Sequence, residues 1–214
     1  MKNPVIILGS GFLGKAAQDI FESNGVIVYG FLDDSEANHG KEINGISILG
    51  ATDDDGFLKL IGKKCEAFVA VEEMMHRKGL VNLLTERRKK MPVNAVHGKA
   101  IISPKAYIGH GNYIDAGVIV NQGSEIGSHC ILGSGTIIDH ETNIKDFVQI
   151  GSGSIINAQV NIEEEVFIGS GVTIVSGVKI GKGARIGAGS VVVADVPEQE
   201  TVFGNPAKKY NLKS

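Results

Sequence analysis

Ile144-Lys145-Asp146-Phe147-Val148-Gln149, Ile150-Gly151-Ser152-Gly153-Ser154-Ile155 and Ile156-Asn157-Ala158-Gln159-Val160-Asn161 are three of sixteen consecutive six-residue units. The units run without a gap from Ile102 to Pro197, and the first residue of every one is Ile, Leu or Val. The second residue is often Gly, Asp or Asn. The fifth is small or β-branched almost throughout, with Asn112 the clear exception. A chain of random order does not hold one phase for sixteen units, so the stretch predicts a hexapeptide parallel β-helix. Each unit supplies one short strand and one tight turn, and three units close a triangular coil. Stacked coils continue the sheet at about 4.8 Å each, giving a prism roughly 25 Å tall. One aliphatic side chain per face points inward, and burying each stabilises the prism by ~1.5–3 kcal/mol. Glycine, Asn and Asp relieve the corners that need positive φ.

Working outward, the residues before this stretch follow a different grammar. Pro4–Leu8 predicts a strand, Phe12–Ser23 a helix closed by Asn24-Gly25, and Val26–Leu32 a second strand followed by Asp33-Asp34. Ser35–Asn44 reads as a loop. Thr52 is placed to cap a helix from Asp53 to Ile61, Ala67–Val71 is a third strand, and Met75–Lys90 a long helix. Alternating strands and helices imply a small parallel sheet, a Rossmann-like βαβ domain over 1–98, followed by the β-helix over 99–214. Gly9-Ser10-Gly11-Phe12-Leu13-Gly14 is a G-x-G-x-x-G turn between strand and helix. Such a turn lets a backbone approach a diphosphate while the helix N-terminus stabilises its charge. Gly9, Gly11, Gly14 and Asp33, at the end of the next strand, are therefore candidate nucleotide ligands. Alternatively, the glycines serve only close helix–strand packing, or a dinucleotide binds as in an NAD-linked enzyme. The domain is too small for the usual pair of mononucleotide halves, which favours a nucleotide-sugar.

The 214 residues are 43% hydrophobic with a net charge of −3. Global disorder is excluded, and no basic excess points to nucleic acid or an anionic membrane. No apolar run is long enough to span a bilayer, and the run Val5–Leu8 is too short for a signal-peptide core. Cys65 and Cys130 lie far apart in sequence, so a disulfide framework is not expected and a cytoplasmic location fits.

The βαβ domain, Phe31-Leu32-Asp33-Asp34, the start Ile102-Ser103-Pro104, the unit Ile138-Asp139-His140-Glu141 and the close Val202-Phe203-Gly204-Asn205-Pro206-Ala207-Lys208 together resemble the PglD/NeuD-like sugar acetyltransferases. The resemblance covers nearly the whole chain. It implies a left-handed coil, a homotrimer with its site between neighbouring prisms, and acetyl transfer from acetyl-CoA to an amino or hydroxyl group of a sugar. By the same resemblance the first domain holds a nucleotide-sugar with Asp33 and Asp34 among its ligands, and CoA lies along positions such as Gly151, Ala188, Gly204 and Pro206. The chain departs from the family pattern at Leu13, where a histidine is common, at Glu72 for glycine, at Gly133 for asparagine and at Gln149 for a second histidine. Glu72 sets a bulky anion beside the nucleotide loop, which repels a diphosphate.

Acyl transfer to an amine needs a group that takes the amine's proton, and histidine suits this at neutral pH. His140 stands third in its unit between two carboxylates. The resemblance makes it the general base and Glu141 its orienting partner, with Asp139 the weaker choice. Read from position alone, His140 is a polar corner residue like His110 and His129. Zinc is not expected: ligands on successive coils recur at multiples of eighteen residues, whereas these histidines stand nineteen and eleven apart. The leading reading is N-acetylation of a nucleotide-activated amino sugar. The alternatives are O-acetylation of a sialic-acid type sugar and a non-catalytic nucleotide-sugar scaffold.

Overall fold

The structure, a computed structural model, describes residues 3–210. The chain divides into two compact units, Met1–Gly98 and Lys99–Ser214. Met1, Lys2 and residues 211–214 lie outside the described residues. Among the described residues no helix is long and apolar enough to cross a membrane.

Unit 1 is built on β1 (Val5–Leu8), β2 (Val28–Leu32), β3 (Glu42–Ile43), β4 (Ile46–Gly50) and β5 (Glu66–Val69). The order is β3-β4-β2-β1-β5, parallel except for the β3–β4 hairpin. All four residues of β1 are buried, as a central strand requires. Helix α1 (Phe12–Ser23) buries Leu13, Ala17, Ile20 and Phe21, and the Phe21 ring meets Phe68 of β5 edge-on at 5.7 Å. The helices α2 (Asp55–Leu58) and α3 (Met74–Arg88) follow.

Two sequence expectations need correction. The stretch read as a loop over Ser35–Asn44 carries a short 3-10 turn and β3. Asn44-Gly45 then turns the chain into β4 with both residues at positive φ (47° and 80°), the two-residue hairpin signal that Asn-Gly gives between Ile43 and Ile46. Thr52 does not cap a helix. Asp54 caps the much shorter α2 by accepting from the Gly56 N–H, and buried Thr52 is bonded to Asp34 instead.

Unit 2 is a left-handed parallel β-helix. It contains sixteen two-residue strands, from Ile101–Ile102 to Val191–Val192, and each ends on the first residue of one hexapeptide unit. From Ile114 onward those inward residues are buried to 1% exposure or less. From Gly111 to Gly189 the fourth residue of every unit takes positive φ, by glycine at most corners and by His129, Glu141, Phe147, Gln159 and Glu165 at others. The fifth residue points inward, and its polar atom bonds a carbonyl fifteen residues on: Ser124 to Asp139, Thr142 to Asn157, Ser154 to Gly169. Asn112 follows this rule. Its amide donates to Gly127 O at 2.9 Å and accepts from Cys130 N–H at 2.7 Å. Replacing it with alanine takes away both partners inside the prism, and a loss of about 1–3 kcal/mol in a denaturant titration is expected.

The outward residues distinguish the three faces. The first face carries Ile101, Ile119, Ile137, Ile155, Thr173 and Val191, one above another in parallel register. The second carries Tyr107, Glu125, Asn143, Asn161 and Lys179, and the third Tyr113, Ile131, Gln149, Phe167 and Arg185. Only the first is an aliphatic ladder.

Candidate active site

His140 lies on the corner between the first and second faces, following the strand Ile137–Ile138, and its side chain is 61% exposed. Its Nδ1 stands 2.5 Å from Asp139 Oδ1, and the same oxygen accepts from the His140 backbone N–H at 2.8 Å. One coil below, Asn121 donates to that oxygen at 3.0 Å, and the Ser124 hydroxyl fixes the Asp139 carbonyl at 2.6 Å. The His140 N–H and the Asn121 amide hold the Asp139 carboxyl below the usual carboxylate range. Asp139 is thus an anion that holds Nδ1–H of the ring and leaves Nε2 as the acceptor.

Glu141, the partner expected from sequence, is placed otherwise. It occupies the left-handed position of its corner (φ 56°), where side chains stack on the equivalent residue of the next coil. Its Oε2 accepts from Gln159 Nε2 at 2.9 Å. Backbone geometry therefore gives the imidazole to Asp139. His129, by contrast, is buried against the Phe147 ring at 4.9 Å.

The opposite edge of the first face is a corner almost without side chains: Gly133-Ser134-Gly135, Gly151-Ser152-Gly153, Gly169-Ser170-Gly171 and Gly187-Ala188-Gly189, each one coil above the last. At Gly151 a Cβ would lie 2.4 Å from the Ser170 backbone, so glycine is needed for the coils to stack. The same holds at Gly133, the position of an asparagine in the family pattern, where a Cβ would meet Ser152 N at 2.7 Å. Gly204 closes over the end of this column, donating to Ser190 Oγ at 3.1 Å and accepting from the Val191 N–H, with Pro206 just beyond. Four of the sequence candidates, Gly151, Ala188, Gly204 and Pro206, therefore share one edge. Gln149 projects from the third face.

In unit 1 a cleft of about 240 Å³ opens where β1 and β5 end, lined by Gly9, Ser10, Gly11, Phe12, Leu13, Asp33, Asp34, Thr52, Ala70, Val71, Glu72 and His76. Gly9 (φ +110°) and Gly14 serve packing. A Cβ at Gly9 would meet Ala70 O at 2.5 Å, and one at Gly14 would meet Gly9 O at 2.1 Å. Gly11 has open space around it and caps α1 with no side-chain bond, leaving the first amides of the helix toward the cleft. Asp33 is turned inward: Oδ2 accepts from the N–H and hydroxyl of Ser10, and Oδ1 from Ser35 N–H at 2.9 Å. Burial pushes its pKa up, but these hydrogen bonds outweigh it and hold the carboxyl below its ordinary value. Asp34 accepts from the Thr52 hydroxyl at 2.5 Å, and its other oxygen lies 3.3 Å from His76 Nε2. Its pKa is lowered in the same way, burial opposing and Thr52 and His76 prevailing. Among the described residues no group of three or more His, Cys, Asp or Glu is arranged to hold a metal ion.

The family model of the PglD N-terminal domain matches residues 4–84, and that of the bacterial transferase hexapeptide (six repeats) matches 159–194. Among curated proteins none matches. Several solved structures are similar over nearly the full length, three of them as follows. A histidine-to-asparagine mutant of perosamine N-acetyltransferase from Caulobacter crescentus, in complex with CoA and GDP-perosamine, is 28% identical with a TM-score of 0.90, over 99% of this chain and 98% of that one. PerB from the same organism, with the same two ligands, is 29% identical at 0.89, over 99% of each chain. The acetyltransferase domain of PglB from Neisseria gonorrhoeae, with acetyl coenzyme A, is 27% identical at 0.88, over 98% of this chain and 100% of that one. The chain thus joins a PglD N-terminal domain to bacterial transferase hexapeptide repeats, and over its full length it is similar to PglD-like sugar acetyltransferases.

Two groups at these sites escape the sequence motifs. Asn121 stands eighteen residues before Asp139, the same place one coil earlier, and that spacing was the available signal. His76 reaches the cleft because Glu73 caps α3, accepting from the Met75 and His76 N–H groups. No spacing rule pairs it with Asp34.

Proposed function

We propose that this chain transfers the acetyl group of acetyl-CoA to the amino group of a nucleotide-activated amino sugar, with His140 as general base and Asp139, rather than Glu141, as its positioning residue. The observation that carries the reading is the 2.5 Å pair of His140 Nδ1 and Asp139 Oδ1 on an exposed corner beside the aliphatic face. His140 Nε2 takes a proton from the sugar amine as the nitrogen attacks the thioester carbonyl. The new C–N bond forms, the C–S bond breaks, and the proton passes from His140 to the departing thiolate. Asp139 stabilises the imidazolium in between. No covalent enzyme intermediate is required. A histidine is also the residue replaced in the similar Caulobacter mutant structure.

The nucleotide belongs in the unit 1 cleft, its diphosphate at the uncapped α1 N-terminus beside Gly11. Asp33 fixes Ser10 in that turn, and Asp34 with His76 faces the ligand. CoA runs along the Gly151–Ala188 corner toward Gly204 and Pro206, where backbone amides and carbonyls are uncovered. That corner and the His140 corner lie on opposite edges of one face, up to about 20 Å apart for six extended residues. A second copy packed on the aliphatic ladder of the first brings the two kinds of edge together, and three copies close the ring as a homotrimer. The test is release of free thiol from acetyl-CoA, with nucleotide-linked 4-amino sugars and free sialic acids as acceptors. Release that depends on an amino sugar is expected. Release only with sialic acid would replace N-transfer by O-transfer.

A further inference from the structure

The unit 1 cleft holds three carboxylates, and they are not equivalent. Asp33 spends both oxygens on Ser10 and Ser35, and Asp34 spends its own on Thr52 and His76. Glu72 also lines the cleft, is exposed, and its carboxylate has no hydrogen-bond or ion-pair partner among the described residues. Its backbone is nevertheless rigidly placed: the buried Arg77 donates Nη1 to the carbonyls of Val71 and Glu72 at 2.8 and 2.9 Å. A fixed point of the chain therefore presents an uncommitted anion to whatever fills the cleft.

We propose that Glu72 reads the base of the bound nucleotide and selects guanine, an inference that rests on the reading of this cleft as the nucleotide site. A diphosphate repels Glu72, so it belongs at the α1 end of the cleft and the carboxylate must face another part of the ligand. The sugar amine is the wrong partner, because a carboxylate would hold it as an ammonium and oppose the deprotonation that transfer needs. The base remains. An ionised carboxylate offers only acceptors, two oxygens side by side. Guanine alone among the common bases presents two adjacent donors, its ring N–H and exocyclic amine, to such a pair. Uracil flanks its single N–H with two carbonyls, and adenine and cytosine each set an amine beside a ring acceptor. On the rim of the same cleft the Phe12 ring is 83% exposed and offers its face to a stacked base.

Calorimetry of the full chain with GDP, UDP and ADP tests this, for the parent and for Glu72→Gln, whose amide replaces one acceptor by a donor. The parent is expected to bind GDP about tenfold or more tighter than UDP or ADP. Glu72→Gln is expected to remove that preference by weakening GDP and to leave UDP within about twofold. Binding of all three with equal affinity, or a GDP preference that survives in Glu72→Gln, would overturn the assignment while leaving the cleft a nucleotide site. No binding of any of the three would overturn the nucleotide reading itself, and the assignment with it.

Discussion

His140→Ala is expected to lower turnover by about a hundred- to ten-thousandfold, the usual contribution of a positioned general base. The side chain is mostly exposed and its backbone bonds do not depend on the ring, so the thermal midpoint should stay where it is. The neighbouring carboxylates then separate two accounts of the site. Asp139→Asn removes the anion beside Nδ1 and should lower kcat, by less than loss of the ring itself, with KM little changed. Glu141→Gln alters a group bonded to Gln159 and should leave turnover near that of the parent. Thiol release measured on the three variants in parallel reads all of this. The reverse order, Glu141→Gln crippled and Asp139→Asn active, would return the positioning role to Glu141.

Ile155→Arg should be nearly as damaging by another route. Ile155 is 39% exposed in the middle of the ladder, between Ile137 and Thr173, and points away from the prism interior. Arginine there does not disturb the coil, but in the proposed trimer it puts an unpaired charge where a second copy would dry the surface, at a cost of several kcal/mol. Sedimentation should move from a trimer to the 22.6 kDa monomer, and turnover should fall to background with the circular dichroism spectrum unchanged. Lys179→Glu, on the polar second face, should leave both trimer and turnover intact. A trimeric, active Ile155→Arg protein would remove the aliphatic face from the interface.

Much of this architecture was legible because a β-helix writes its geometry into a fixed phase. The first residue of every unit must face the core, and from Ile114 to Val192 those residues are buried. The G-x-G-x-x-G turn was equally readable, since Gly9 and Gly14 sit where any Cβ collides. What was not legible depends on relations the phase does not carry. Asp139 and Glu141 flank His140 symmetrically in sequence. The left-handed turn at Glu141 sends one of them to Gln159 and leaves the other on the ring. The bond of Thr52 to Asp34 likewise needs the fold, because a threonine ahead of an acidic stretch reads as a cap when β4 is not foreseen.

In the proposed trimer the site is shared between copies, one supplying His140 and its neighbour the glycine corner. Mixing two inactive chains asks this most directly: His140→Ala, which keeps the corner, and Ala188→Trp, which keeps the base but blocks the corner with a bulky ring at an exposed position. Co-refolded in equal amounts, the pair should recover about a quarter of parental thiol release, since one interface in four then joins an intact base to an intact corner. Mixed trimers that form and remain inactive would contradict the shared site.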